Sequence, residues 1–269
     1  MDLDRATLNQ LKRFATAFRE ARERQANESD TVLFLCKFFE DVLGYDSLKG
    51  EVSKEVAVRD RYCDVALKIE GAMRVLVEAK AAGQLTLLDK HIEQAENYAS
   101  RSGLPWVLLT NGILWKLYHV TFAEGEGISH DLAFEANLIE EMEKNPKALW
   151  ERIGLLHRTA VKKGALEDYW LHRKALSPSA VVRVLFKEEV LRFIRRELRR
   201  DAGVVPELGD VFTAVRDALS KEALAEAGDL SISTKRKRRR KPHAADADTA
   251  APPTHPVDDA PPSSAAPEA

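Results

Sequence analysis

The hydrophobic pattern changes period near residue 54, and that switch constrains the fold more than any other feature of the chain. Before it, apolar residues recur at helical spacing. Leu8, Leu11, Phe14, Phe18 and Ala21 form one run, which predicts a helix over residues 7–25. Asn27-Glu28-Ser29-Asp30 supplies capping side chains and negative charge for a second helix, which carries Val32, Leu33, Cys36, Phe39 and Val42 and should stop near Gly44. After the switch, residues 54–58, 62–69 and 74–80 read as strands, the last two by alternation. An amphipathic helix is expected over 84–100, with Leu88, Ile92, Ala95 and Ala99 on one side and Gly103 and Pro105 ending it. Residues 106–110 are a short apolar run, Asn111-Gly112 is a hairpin signal, and 114–120 is the return strand. Helix, three strands, helix and two strands make an α/β sandwich.

Beyond residue 121 the pattern is mainly helical, over 132–156, 179–200 and 210–224. The last segment differs. From Asp229 onward there are 7 Lys/Arg and 6 Asp/Glu among many Ala, Pro and Ser, and no Phe, Trp or Tyr. Such a composition cannot bury enough apolar surface to offset its ordering entropy, so disorder is expected. The expected organisation is an N-terminal helix at 1–26, an α/β domain at 27–121, a helical extension at 122–228 and a disordered basic, Pro/Ala-rich tail at 229–269.

Charge narrows the functional classes. Lys and Arg total 41 against 43 Asp and Glu, a net charge of -2, which excludes a globally basic nucleic-acid binder but leaves room for a local patch. Two cysteines, Cys36 and Cys63, exclude a disulfide framework and a Cys-rich zinc site. No stretch approaches the roughly 18 apolar residues of a membrane span. A soluble, cytoplasmic protein is the expectation, with no membrane partner.

Asp64, Glu78 and Lys80 carry the chemistry. Glu78 and Lys80 are two apart on a strand and share a face. Charges at the end of the apolar run Val75-Leu76-Val77 are costly unless they sit at an edge or bind something. Hairpin register decides whether Asp64 joins them. A three-residue loop at Glu70-Gly71-Ala72 sets Asp64 opposite Glu78; a two-residue loop at Gly71-Ala72 sets it opposite Ala79 and turns the carboxylates to different faces. Two carboxylates are hard oxygen ligands suited to Mg2+, and an ammonium beside them can orient a water or stabilise developing charge. The competing reading is a surface salt bridge on an ordinary hairpin.

Asp64 … Val77-Glu78-Ala79-Lys80, in this order of helices and strands, resembles the PD-(D/E)xK nuclease superfamily. Asn27-Glu28-Ser29-Asp30-Thr31 with a helix ending in Leu43-Gly44-Tyr45, then Gln94-Ala95-Glu96-Asn97-Tyr98, then Trp106-Val107-Leu108-Leu109-Thr110-Asn111-Gly112 leading to Trp115-Lys116-Leu117-Tyr118, are similar to the N-terminal nuclease domain of type I restriction-enzyme R subunits and its stand-alone relatives. The resemblance covers about residues 27–121. It implies a restriction-endonuclease-like core, a mixed central sheet flanked by helices. It implies Mg2+, with Mn2+ as a substitute, on Asp64, Glu78 and the Ala79 carbonyl. Lys80 would position the attacking water, and Glu28 would be the first-helix acid, with Glu40 as its rival. Gln94 and Tyr98 would face the site and help hold DNA or the catalytic residues. The implied activity is metal-dependent DNA cleavage in restriction or DNA defence. The alternative is a non-catalytic DNA- or protein-binding module on the same fold.

The sequence departs from a full R subunit. It has no Gly-x-x-x-x-Gly-Lys-Ser/Thr loop and no room for helicase domains, so no ATP site is expected, and target choice would come from a separate specificity or helicase subunit or from DNA structure. Cutting both strands needs two active sites, which is compatible with a homodimer. The run Lys235, Arg236, Lys237, Arg238, Arg239, Arg240 and Lys241 could add salt-sensitive, sequence-blind DNA affinity. Arg192, Arg195, Arg196, Arg199 and Arg200 crowd one helix end, as a solvated face or a second DNA contact.

Overall fold

The structure is a computed structural model that describes residues 2–58, 61–88, 103–123 and 127–230. The expected positions Gln94 and Tyr98, most of the helix expected over 84–100, and Lys235 to Lys241 lie outside the described residues.

Two helices open the chain, α1 (Arg5–Glu23) and α2 (Glu28–Asp41). Each begins where a short polar side chain satisfies a free amide: Asp4 accepts from the Thr7 N–H at 2.7 Å, and Asn27 from the Asp30 N–H at 2.8 Å. Five of the described strands lie where the sequence put them: β1 (Val52–Val58), β2 (Arg61–Ile69), β3 (Ala72–Ala79), β4 (Trp106–Thr110) and β5 (Leu114–Ala123). A sixth, β6 (Gly127–Asn137), completes a sheet whose spatial order follows the chain order. Every neighbouring pair is antiparallel except β3 and β4, which are parallel. The sheet is therefore mixed, and β3 runs through its interior between an antiparallel and a parallel neighbour. A parallel step needs a long crossover, and residues 80–105 provide it.

The main core lies between one face of the sheet and α1 and α2. Leu11, Phe14 and Phe18 of α1 pack with Leu35, Phe38 and Phe39 of α2, with Val65, Val75 and Val77 of the central strands, and with Trp115 of β5. Phe38 and Phe39 both contact the Trp115 ring, at centroid distances of 4.9 and 6.3 Å. Each such side chain contributes roughly 1.5–3 kcal/mol on leaving water. Gly112 makes the closest approach. It has φ +84°, and a Cβ there would meet Phe18 Cε1 at 2.1 Å. The other face carries a smaller cluster of Cys63, Ala66, Leu76, Val107, Leu109 and Tyr118.

Several expectations need correction. The buried stripe of α2 is rotated from the one read in the sequence: Thr31, Leu35, Phe38 and Phe39 are buried, and Leu33 is 55% exposed. The helix packs against both α1 and the sheet, so its buried arc is set by two neighbours. Residues 132–137, expected as helix, belong to β6. A register shift makes Ala133 an extra residue between Leu132 and Phe134, which pair with Tyr118 and Leu117. The bulge destroys the two-residue alternation and leaves an apolar run that looks helical. Residues 84–88 are not helical; the Gln84 carbonyl accepts from Asn111 Nδ2, and the Leu87 carbonyl from Lys116 Nζ, which pins this stretch to the β4–β5 turn and to β5.

After β6 come α3 (Leu138–Lys144), α4 (Pro146–Ile153), α5 (Arg158–Lys162) and α6 (Ala165–Ala175). Arg158 grips the buried Glu51 through three bonds of 2.6–2.9 Å, which fastens these helices to the segment ahead of β1. The helix expected over 179–200 is two helices, α7 (Pro178–Leu185) and α8 (Glu188–Ala202), because buried Phe186 leaves the helical path to pack on Phe212. α9 (Leu208–Asp217) and α10 (Lys221–Ala227) follow. None of the described helices is long and apolar enough to cross a membrane.

Candidate active site at the end of the central strands

The β2–β3 hairpin brings the chemistry together by a route the sequence did not show. The turn is Glu70-Gly71, and it pairs Ile69 with Ala72. Both turn residues have positive φ, +53° and +79°, as the tight hairpin turn that matches strand twist requires. Continued unbroken, that register would miss the Asp64–Glu78 pairing. A bulge corrects it: Lys68 pairs with Met73, but Leu67 pairs with Val75, so Arg74 is the extra residue. The ladder then runs through Ala66–Leu76 to its last pair, Val65–Val77, and the same register carried one residue further would set Asp64 against Glu78. Neither loop placement considered from sequence is used, yet the register toward Val65–Val77 is the one that clusters the carboxylates.

Past Val77 side chains take over from the ladder. Asp64 Oδ2 accepts from the Ala79 N–H at 2.7 Å. The Cys63 thiol donates toward the carbonyls of Val65 and Val77, at 3.3 and 3.2 Å. Lys80 Nζ donates to Glu78 Oε1 at 2.7 Å and lies 3.6 Å from Glu28 Oε2. The Lys80 amide donates to the Thr110 carbonyl, which carries the β3–β4 pairing one residue further. Thr31 sets the distance to α2: its Oγ1 accepts from the Ala82 N–H at 3.0 Å and donates to the Asn27 carbonyl. Glu28 and Lys80 are held in reach of each other by that link.

This is not a surface ion pair. The Glu78 side chain is 4% exposed and that of Lys80 16%. Burial pushes the Glu78 carboxyl up to about 7, the charges of Asp64 and Glu28 add to the effect, and the Lys80 hydrogen bond opposes it. Burial also raises Asp64, against the Ala79 hydrogen bond and the Lys80 charge. For Lys80, burial works to lower the pKa, but the Glu78 hydrogen bond and the three surrounding carboxylates outweigh it and hold it above the usual lysine value. The ammonium therefore keeps its proton at neutral pH. Burial pushes the Cys63 thiol up to about 12, so it is inert as a nucleophile.

A cleft of about 220 Å3 opens beside Asp64, walled by Glu28, Ser29, Val32 and Leu33 of α2 and by Lys54 and Glu55 of β1. Glu55, at φ +46°, stands where pairing with Asp64 is interrupted. Sequence reasoning missed Lys54, Glu55 and the Cys63 thiol; a non-glycine residue at positive φ leaves no sequence signal. Glu40 is paired with Lys37 at 3.3 Å near the other end of α2. On α8, Arg192 pairs with Glu188, and Arg196 and Arg200 with Glu197, all solvent-facing. Among the described residues no three His, Cys, Asp or Glu side chains form a ready-made cation cage.

A mixed sheet covered by helices, with a buried Glu-Ala-Lys where its interior strand ends, is an α/β nuclease-like core. Residues 33–130 match the sequence model of the family described as the type I restriction enzyme R protein N terminus, so this part of the chain is similar to the N-terminal domain of R subunits. The matched span holds Asp64, Glu78 and Lys80, begins after Glu28, and runs into β6. No curated protein and no solved structure matches the chain.

Proposed function

We propose that the chain is a Mg2+-dependent deoxyribonuclease that hydrolyses phosphodiesters with water, within restriction or DNA defence. One observation carries this reading: Glu78 Oε1 is bonded to Lys80, while Glu78 Oε2 is buried with no hydrogen-bond partner, in the field of Asp64. A buried oxygen without a donor costs about 1–3 kcal/mol or more when charged. Strain kept in this form beside Asp64, the one of the two acids that lines the cleft, points to a ligand that would relieve it.

The donor set fits a small hard cation. Asp64 and Glu78 would supply carboxylate oxygens, and the Ala79 carbonyl would be the third protein ligand. Mg2+ keeps several waters and takes one or two carboxylates, so two acids suffice without a full protein cage. Bound there, it would offset phosphate charge and lower the pKa of a coordinated water. The chain's own residues do the rest. Lys80, locked by Glu78 and Glu28, presents an ammonium that orients the water or meets charge developing on the phosphate. Asp64 is aimed by the Ala79 amide and cannot swing away without orphaning it. Glu28 steers Lys80 from the helix side. In-line attack breaks the P–O3′ bond and leaves a 5′-phosphate. DNA and a separate specificity or helicase subunit are the proposed partners, and a homodimer would cut both strands.

The test is supercoiled plasmid incubated with the protein and Mg2+ or Mn2+. Nicking that EDTA stops, and that Asp64→Asn and Lys80→Met each reduce by about 100-fold or more, is expected for a transition-state donor or ligand. Melting curves show whether the variants fold. DNA binding without metal-dependent cleavage in the wild type would instead identify a non-catalytic binding module.

A further inference from the structure

Two residues of the cleft have no role in holding the carboxylates. Leu33 is apolar yet 55% exposed, on the α2 wall beside Val32. Lys54, on the β1 side, is exposed and makes no ion pair with any described residue. Nothing within the described chain accounts for an apolar wall and an unpaired cation lining one cleft with Asp64. Together they match a ligand with an apolar face and an anionic end.

We propose that this cleft is the subsite for the nucleotide next to the scissile phosphate. Its sugar and base face pack on Val32 and Leu33, and its own phosphate meets the Lys54 ammonium. The proposal rests on the nuclease reading and names the substrate contact of that same site. The contact is with one nucleotide of one strand. Apart from the Ser29 hydroxyl the neutral lining is apolar, and contacts to sugar and phosphate carry no sequence information, so recognition here is sequence-blind. Glu28, Glu55 and Asp64 share the cleft and repel phosphate. Lys54 therefore cannot hold DNA alone, and the contact forms only when a divalent cation offsets the acids.

The experiment reads binding apart from turnover. Anisotropy with fluorescein-labelled DNA of several sequences, in Ca2+ and in EDTA, gives Kd; plasmid cleavage in Mg2+ gives KM and kcat. Lys54→Gln is expected to weaken Kd in Ca2+ by about tenfold for every sequence and to reduce the slope of log K against log salt by about 1. Its loss falls in KM, not kcat, and Lys54→Arg restores it. Leu33→Ser is expected to weaken Kd by about threefold with the salt slope unchanged, because it removes apolar contact and no charge. Both positions are exposed, so melting temperatures should not move. Unchanged Kd and KM in both variants, with wild-type cleavage intact, overturn the subsite and leave the nuclease reading standing. Wild-type protein that cleaves nothing, while Lys54→Gln still weakens binding in Ca2+, overturns the nuclease reading and keeps the subsite as a DNA contact. An effect of Lys54→Gln that is as large in EDTA as in Ca2+ overturns the proposed coupling to the cation.

Discussion

Replacing Glu78 by Gln should remove a pH-dependent instability built into the central strand. In the folded chain burial holds this carboxyl near 7, against 4.5 for an ordinary glutamate. An acid whose folded pKa is raised gives stability that is full below the unfolded pKa and is lost as pH rises through the folded one. With about 1.4 kcal/mol per pKa unit, the wild type should lose roughly 2.5 kcal/mol relative to Glu78→Gln between about pH 5 and pH 8. For a domain of this size that corresponds to roughly 5–10 °C in Tm. His119 and His157 titrate nearby with the opposite sign, since burial lowers both and their contribution is lost as pH falls. They are common to both proteins and cancel in the difference. The assay is urea or thermal unfolding of the two proteins in EDTA at a series of pH values. The two stability curves should separate progressively between about pH 5 and pH 8 and run parallel above that, with Glu78→Gln the gainer. Parallel curves across the whole range would show that Glu78 is ionised without penalty, and the account of the site as a strained cation receptor would fail.

Other outcomes follow from the same geometry. Ca2+ should raise the Tm of the wild type at pH 8 and leave that of Asp64→Asn unchanged; equal shifts in both would place the ion elsewhere. Gly112→Ala should cost about 2–5 kcal/mol in urea unfolding, from the left-handed backbone and from collision with Phe18 at 2.1 Å, so a near-neutral result would mean that α1 does not pack over this turn. Arg158→Met strands the carboxylate of Glu51, which is 5% exposed, and should cost about 3–5 kcal/mol at neutral pH. Because Arg158 holds Glu51 below the usual carboxylate range, that contribution is present above the ordinary glutamate pKa and fades as pH falls through the lowered one, so the wild-type advantage should shrink in acid.

The linear chain by itself determined the two opening helices and the places of β1 to β5, since burial of one face forces the period of three to four in α1 and α2 and the period of two in β2 and β3. It also determined which side chains are candidates, because Asp64, Glu78 and Lys80 are charges set among residues that can only be core. β6 was hidden by its bulge at Ala133, and the buried arc of α2 by its second neighbour. The convergence of the site was a matter for the tertiary structure. A two-residue turn and a bulge at Arg74 shift the hairpin in compensating steps, and hydrogen bonds between residues far apart in the chain, Ala82 to Thr31 and Lys80 to Thr110, bring α2 and β4 to the same point. Register errors of one residue leave composition and pattern untouched while reversing every side chain, so only the assembled sheet fixes where two acids and one amine meet.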